Sequence, residues 1–360
     1  MNNRSTQSTG KPLLDALLGK KPSRTPIWFM RQAGRCLPEY RKIKESMNTY
    51  DMFQTPSIAS TITLQPLKRF DYDAAIVYAD ILHIADVLGG ELSFVPSLGP
   101  LLKRPIQNTA DIIYTEKLFN RMDQCLEKLS FVQQTLLLTK KHLTSEQALI
   151  GFAGSPWSVA CYMIAGKSPG DCRNVKLWML NHPTLFAQLM EMITQLTIEY
   201  LSHQIDAGAD TIQLFESHAG MALSYRQYQT FALPYIIQIC EELQKRKPHT
   251  PLIYYINNSA GILPHIHSSR LPTLLKGFGV DFRQPLANLS QYPHFQHLTL
   301  QGNLDPLTLY ASTDYLTHAV EDILKQGREH QGGFIFNVGH GLTPQTPLPA
   351  IKKVIELTHR

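Results

Sequence analysis

Short apolar runs alternate with amphipathic stretches along nearly the whole 360-residue chain. Eight runs rich in β-branched and aromatic residues predict strands. They are PIWFMR (26–31), DAAIVYA (73–79), ALIGFA (148–153), DTIQLFE (210–216), PLIYYIN (251–257), GFGVDF (277–282), LTLQGN (298–303) and GFIFNVG (333–339). Most are apolar throughout, as parallel strands covered on both faces should be. Helical periodicity fills 40–70, 111–143, 174–206, 223–246 and 306–327, whereas 283–297 is short of it. The long connection LGGELSFVPSLGPLLKRP (88–105) predicts an added hairpin or lid. Eight strand–helix units predict an α/β fold, a single-domain (β/α)8 barrel over residues 11–360, with a doubly wound open sheet as the competitor. Residues 1–10 are polar and are expected to form a disordered tail.

Composition narrows the function classes. Hydrophobic residues make up 43% and charged residues 18%, which supplies a globular core. The net charge of +5 suits an anionic ligand, and no Lys/Arg block suggests nucleic acid. Five scattered cysteines (36, 125, 161, 172 and 240) without a C-x-x-C pair read as reduced thiols of a cytoplasmic protein. No secretory signal is visible, and no apolar run is long enough to predict a membrane span. H-E-x-x-H, Walker A, G-x-G-x-x-G and G-x-S-x-G are all absent, so neither a metal nor a nucleotide is indicated.

A barrel places its active site at the C-terminal ends of its strands. The residues there are Arg31 and Arg35, Asp80, Gly154-Ser155-Pro156-Trp157, Glu216-Ser217-His218, Asn257 and Asn258, Asp281 and Arg283, Asp305, and His340 between two glycines. Several also have structural readings. Ser155, Asp305 and Thr343 each precede a proline and can cap a helix. Asp80 can cap a helix from 81 onward. His83 and His218 read as surface or packing residues. The glycines beside His340 allow unusual backbone angles or close approach to a ligand. Arg31 and Arg35 can hold Glu39 or Asp80, or they can hold a ligand. Two cations ~4 Å apart repel by roughly 4 kcal/mol at an effective dielectric near 20, so the pair requires anionic company.

The stretch PIWFMRQAGR resembles the N-terminal signature of the uroporphyrinogen decarboxylase family, with every fixed position present. The resemblance continues through LPEYR, TLQPLKRFDYDAAIVYADIL, GFAGSPWSVACYMIAG, IQLFESHAG, QGNLDP and NVGHG, in family order from about 24 to 345. It implies a homodimeric (β/α)8 carboxy-lyase without metal or organic cofactor. Such an enzyme converts the four acetates of uroporphyrinogen III to methyl groups, giving coproporphyrinogen III in haem biosynthesis. It also implies ligand roles for Arg31, Gln32, Ala33, Gly34, Arg35, Asp80, Tyr162, Ser217 and His340, with Asp80, Arg31 and Tyr162 closest to the chemistry. Gly34 is expected to let the loop turn so that both guanidiniums face inward.

The chain departs from the family at Cys36, where a tyrosine is usual, and at Lys44, where an arginine is expected. DFR (281–283) replaces DWT and puts Arg283 near the rim, and ADIL replaces SDIL. Two other functions remain as alternatives. A corrinoid-linked methyltransferase of this fold needs a His-x-Cys zinc unit, which the chain lacks. A non-catalytic tetrapyrrole-binding paralogue could dispense with Asp80 or Tyr162, and both are present.

Overall fold

Seven of the eight apolar runs fold as parallel strands of one sheet in a computed structural model that describes residues 7–360. They are β1 (Ala74–Ile76), β4 (Ala148–Gly154), β5 (Thr211–Glu216), β6 (Leu252–Ile256), β7 (Gly277–Gly279), β8 (Thr299–Leu304) and β9 (Phe334–Val338). Each pairs with the next in sequence, in registers such as Ala74 with Ala148 and Gln301 with Ile335. Every residue of β4 and β6 is buried, which is why these runs carry no polar alternation. Amphipathic helices cover the outside, the longest being Pro183–Asp206.

The eighth run behaves differently from the expectation. Residues 26–31 do not form a regular strand; only Ile27 bridges in parallel to Phe336. The segment nevertheless closes the barrel. Phe336 N donates to Pro26 O at 2.8 Å on one side, and Asp73 N donates to Ile27 O at 2.9 Å on the other. Trp28 N donates weakly to Phe336 O at 3.4 Å, and three other amides of the segment find side chains rather than a ladder. Ile27 N donates to buried Asp73 at 2.8 Å, Phe29 N to Gln32 Oε1 at 3.0 Å, and Met30 N to Asn337 Oδ1 at 3.1 Å. Buried amides must be paired, and here side chains do it, which frees the chain to turn sharply at its end.

The barrel interior is polar at one level. Trp28 Nε1 donates to Gln301 Oε1 at 2.9 Å, and Gln301 Nε2 donates to Gln213 Oε1 at 3.1 Å. This chain of bonds crosses the barrel. The insertion at 88–105 forms the expected hairpin, β2 (Leu92–Val95) against β3 (Gly99–Leu102), antiparallel.

The capping expectations divide. Asp305 caps Pro306–Tyr310 by accepting from Leu307 N. Ser155 stands at the N-cap of Pro156–Ala165, but its buried hydroxyl makes no cap bond. No helix begins at Thr343: its amide donates to Thr346 Oγ1 in a turn, and the last helix starts at Leu348. Of the polar tail, residues 1–6 lie outside the described residues. Thr9 N donates to Asp15 Oδ1 at 2.7 Å, and Ser8 also bonds Asp15, so the tail is anchored by residue 8.

Candidate active site

Arg31 follows the closing segment with its backbone in the left-handed region, φ 64°. An arginine there costs roughly 1–2 kcal/mol, so the surrounding contacts must impose it. Gly34 was the residue expected to make this turn, but no positive φ is found at it. The turn falls on Arg31 itself. Its side chain runs past Gly341, where a Cβ would stand 2.4 Å from Arg31 Cδ. A Cβ at Gly339 would stand 2.3 Å from Phe282 N. The glycines around His340 therefore make room for neighbouring protein segments.

Asp80 lies beyond the C-terminal end of β1, half-buried. Its Oδ1 accepts from Leu82 N at 2.9 Å within a turn; the helix that follows starts only at His83 and has no side-chain cap, so Asp80 does not cap a helix from 81. Its own amide donates to His83 Nε2 at 3.0 Å. His83 is a packing residue, as one of its expected readings held, and it is not on the surface. It is 1% exposed, wedged between Phe53 and Phe131, and burial pushes its pKa down to about 3. Burial raises the pKa of Asp80, opposed by the Leu82 amide and by the charge of Arg31.

Tyr162 is half-buried on the helix Pro156–Ala165. Burial and the field of Asp80 raise its phenol's pKa, and Arg31 lowers it. His340 is half-buried, and burial together with Arg31 and Arg283 lowers its pKa. Arg31, Asp80, Tyr162 and His340 thus share one electrostatic neighbourhood, although they come from four distant parts of the chain. Ser217 adjoins the group through the next residue. Its amide donates to Ser158 Oγ at 2.8 Å, its carbonyl accepts from Asn257 Nδ2 at 3.3 Å, and the neighbouring His218 ring lies 5.5 Å from that of Tyr162. Beneath it, buried Glu216 accepts from the amides of His218 and Ala219 at 3.0 Å each, fixing the turn that carries Ser217.

Arg35 is further out. With Tyr40, Arg41, Lys44, Pro344 and Gln345 it lines a groove of about 570 Å³ at the rim. Among the described residues no carboxylate forms an ion pair with Arg31 or Arg35. Glu39, one expected partner, pairs with Arg69 at 2.9 Å, and Asp80, the other, makes no ion pair with either arginine. Gln32 is buried and engaged at both ends, with Oε1 accepting from Phe29 N and Nε2 donating to Ala74 O at 2.9 Å. Ala33 and Gly34 are half-buried. Cys36 is a core thiol whose pKa burial raises to about 11.

Sequence reasoning did not find the Tyr40–Tyr78 hydroxyl pair (3.0 Å) beside Arg35, nor the part His83 plays behind Asp80. Neither carries a local signal, because each depends on which helix packs where. A larger groove, about 780 Å³, lies around Arg24 and His359 and contains none of these residues. Among the described residues no cluster of three His, Cys, Asp or Glu is placed to hold a metal ion, and no helix is long and apolar enough to cross a membrane.

Fold and site together define an α/β-barrel enzyme whose mouth combines arginines without an ion-pair partner among the described residues and the nearby carboxylate of Asp80. A sequence profile described as "Uroporphyrinogen decarboxylase (URO-D)" matches residues 8–360. The chain is 38% identical over 344 residues to a uroporphyrinogen decarboxylase of Coxiella burnetii, covering 95% of this chain and 92% of the relative. The Xylella fastidiosa protein of that name is 38% identical over 355 residues, covering 97% of each, and the Geobacter sulfurreducens one is 35% identical over 360, covering 100% and 99%. A solved methyltransferase from Methanosarcina mazei superposes with a TM-score of 0.77 over 98% of both chains at 15% identity, a likeness of fold. The chain belongs to the uroporphyrinogen decarboxylase family, and it is a carboxy-lyase.

Proposed function

We propose that the mouth of this barrel binds uroporphyrinogen III and removes carbon dioxide from its four acetate side chains, giving coproporphyrinogen III. The observation that carries the reading is the placement of Asp80 among Arg31, Tyr162 and His340, with no carboxylate among the described residues pairing Arg31 or Arg35. The substrate presents eight carboxylates at its edge and four pyrrole N–H groups at its centre. Arginine forks suit the carboxylates, and a carboxylate suits converging N–H donors. Asp80 collects the N–H groups. Arg31 holds the reacting acetate, while Arg35, His340 and the hydroxyls of Tyr162 and Ser217 hold others. The Gln32 amide is already occupied, so Gln32, Ala33 and Gly34 serve as the frame that presents the two arginines.

The chemistry needs an electron sink. Protonation of a pyrrole carbon makes a cationic ring, and the Asp80 carboxylate stabilises that charge. The acetate C–C bond then breaks, its electron pair moves into the ring, and carbon dioxide leaves. The exocyclic methylene takes a proton to become methyl, and the ring proton departs. Each cycle consumes one net proton. The substrate supplies the sink that a cofactor such as PLP supplies elsewhere.

Anaerobic incubation with uroporphyrinogen III, then oxidation and chromatography, tests this. Seven-, six-, five- and four-carboxyl products support it, and unchanged octacarboxylate at high enzyme concentration defeats it. Asp80→Asn should nearly abolish turnover in a folded protein; normal activity would sink the role given to Asp80. We further propose that the enzyme works as a cytoplasmic homodimer. Five free, buried cysteines fit a reducing compartment, and light scattering of the purified chain tests the dimer.

A further inference from the structure

Three segments meet at the bend Gly339-His340-Gly341. On one side Gly341 lies against the side chain of Arg31. On the other, Gly339 lies against the backbone of Phe282, and Tyr255 Oη donates to Gly339 O at 3.0 Å. Arg283 follows Phe282 as His340 follows Gly339, so two of the segments at the bend carry an arginine, and the charges of both act on His340. The loop carrying Arg283 is firmly built. Its amide donates to Asp281 Oδ1 at 2.9 Å, and Asp281, fully buried, also accepts from Ser259 N at 2.8 Å and Ser259 Oγ at 3.0 Å.

The guanidinium itself is only partly used. Its Nη1 donates to Asn257 Oδ1 at 3.2 Å and lies 3.5 Å from Asp281, whose oxygens the Ser259 and Arg283 amides and the Ser259 hydroxyl already occupy. Its carbon stacks 4.4 Å over the Phe282 ring, and its side chain is 43% exposed. Among the described residues nothing accepts from its Nε or Nη2. A rigidly presented guanidinium with an open edge, beside a histidine and near Arg31, which has no ion-pair partner among the described residues, is suited to a planar two-oxygen anion.

We propose that Arg283 is a further substrate-binding residue of this site, taking one side-chain carboxylate of the bound tetrapyrrole on the His340 side. The inference rests on the reading of the mouth as a site for a polycarboxylate tetrapyrrole. Asn257 is its positioning residue: it holds the guanidinium and, through its amide, the Ser217 carbonyl. The carboxylate is an acetate, lost as the reaction proceeds, or a propionate, kept throughout.

Full-length Arg283→Gln and Arg283→Lys test it. The measurements are kcat and KM for uroporphyrinogen III over a range of ionic strength, and the Kd of the oxidised octacarboxylate, uroporphyrin, by fluorescence quenching. Arg283→Gln should raise KM and Kd about tenfold, leave kcat within about twofold, and flatten the salt dependence of KM, while lysine recovers part of the loss. Repeating the Kd with the tetracarboxylate, coproporphyrin, separates the sources. A persistent tenfold effect marks a propionate, and a vanished one marks an acetate. A KM and Kd for uroporphyrin within twofold of the parent overturn the inference. If the parent enzyme makes no product, the proposed function fails instead, and the Kd comparison still decides the role of Arg283. If Arg283→Gln does not fold, Arg283→Lys decides through the same Kd.

Discussion

Gly341 gives Arg31 its place: a Cβ at 341 would stand 2.4 Å from Arg31 Cδ and 2.8 Å from Nε. The two residues are 310 positions apart, and each belongs to a motif that looks complete by itself. Their contact explains how an arginine with a left-handed backbone keeps its side chain directed along the mouth.

Gly341→Ala should therefore displace the Arg31 side chain while leaving the core intact, because the clash falls on a flexible chain. We expect kcat/KM to fall by about tenfold or more and the melting temperature to change little. An alanine variant with parental kinetics would show that Arg31 needs no such channel.

Gln32→Met should act on stability. Gln32 pairs the amide of Phe29 and the carbonyl of Ala74, both at the seam where the barrel closes. Leaving two buried main-chain groups unpaired costs about 2–4 kcal/mol. Urea unfolding measures the loss. A parental midpoint combined with a large rise in KM would instead mean that the amide itself binds substrate.

His83 makes the fold acid-sensitive. Its folded pKa, about 3, lies below the ordinary 6.5, so the unfolded chain binds the extra proton between those values. Stability contributed by the neutral ring is complete above pH 6.5 and is lost as pH falls toward 3, by up to about 1.4 kcal/mol per pH unit. His83→Gln keeps an acceptor for the Asp80 amide and removes the titration. Its stability should fall less steeply across this window, with His218, lowered to about 4, supplying part of the remaining slope. Identical slopes in the two proteins would rule out this role for His83.

His340 should report on the ligand. In the free enzyme, burial and the charges of Arg31 and Arg283 hold its pKa below 6.5. A carboxylate placed between these groups reverses the balance, so the pKa should rise when uroporphyrin binds. Proton NMR of the ring across pH measures it. A titration unmoved by saturating ligand would remove His340 from the site.

The apolar runs alone settled seven strands and the barrel, because a parallel strand buried on both faces must be apolar throughout, and that pattern is local. The motifs around Arg31, Asp80, Ser217 and His340 likewise mark the strand ends of one rim. Three matters waited for the tertiary structure. The run at 26–31 looks like any other strand, yet Asp73, Gln32 and Asn337 take three of its amides, so it only bridges at Ile27. The turn expected at Gly34 falls on Arg31, and the glycines of NVGHG receive Arg31 and Phe282. His83, which reads as a surface or packing residue, is buried behind the Asp80 amide. Periodicity reports which face of an element is buried. It carries no information about which distant side chain meets a given amide or fills the space beside a given glycine, because those contacts exist only once the barrel has closed.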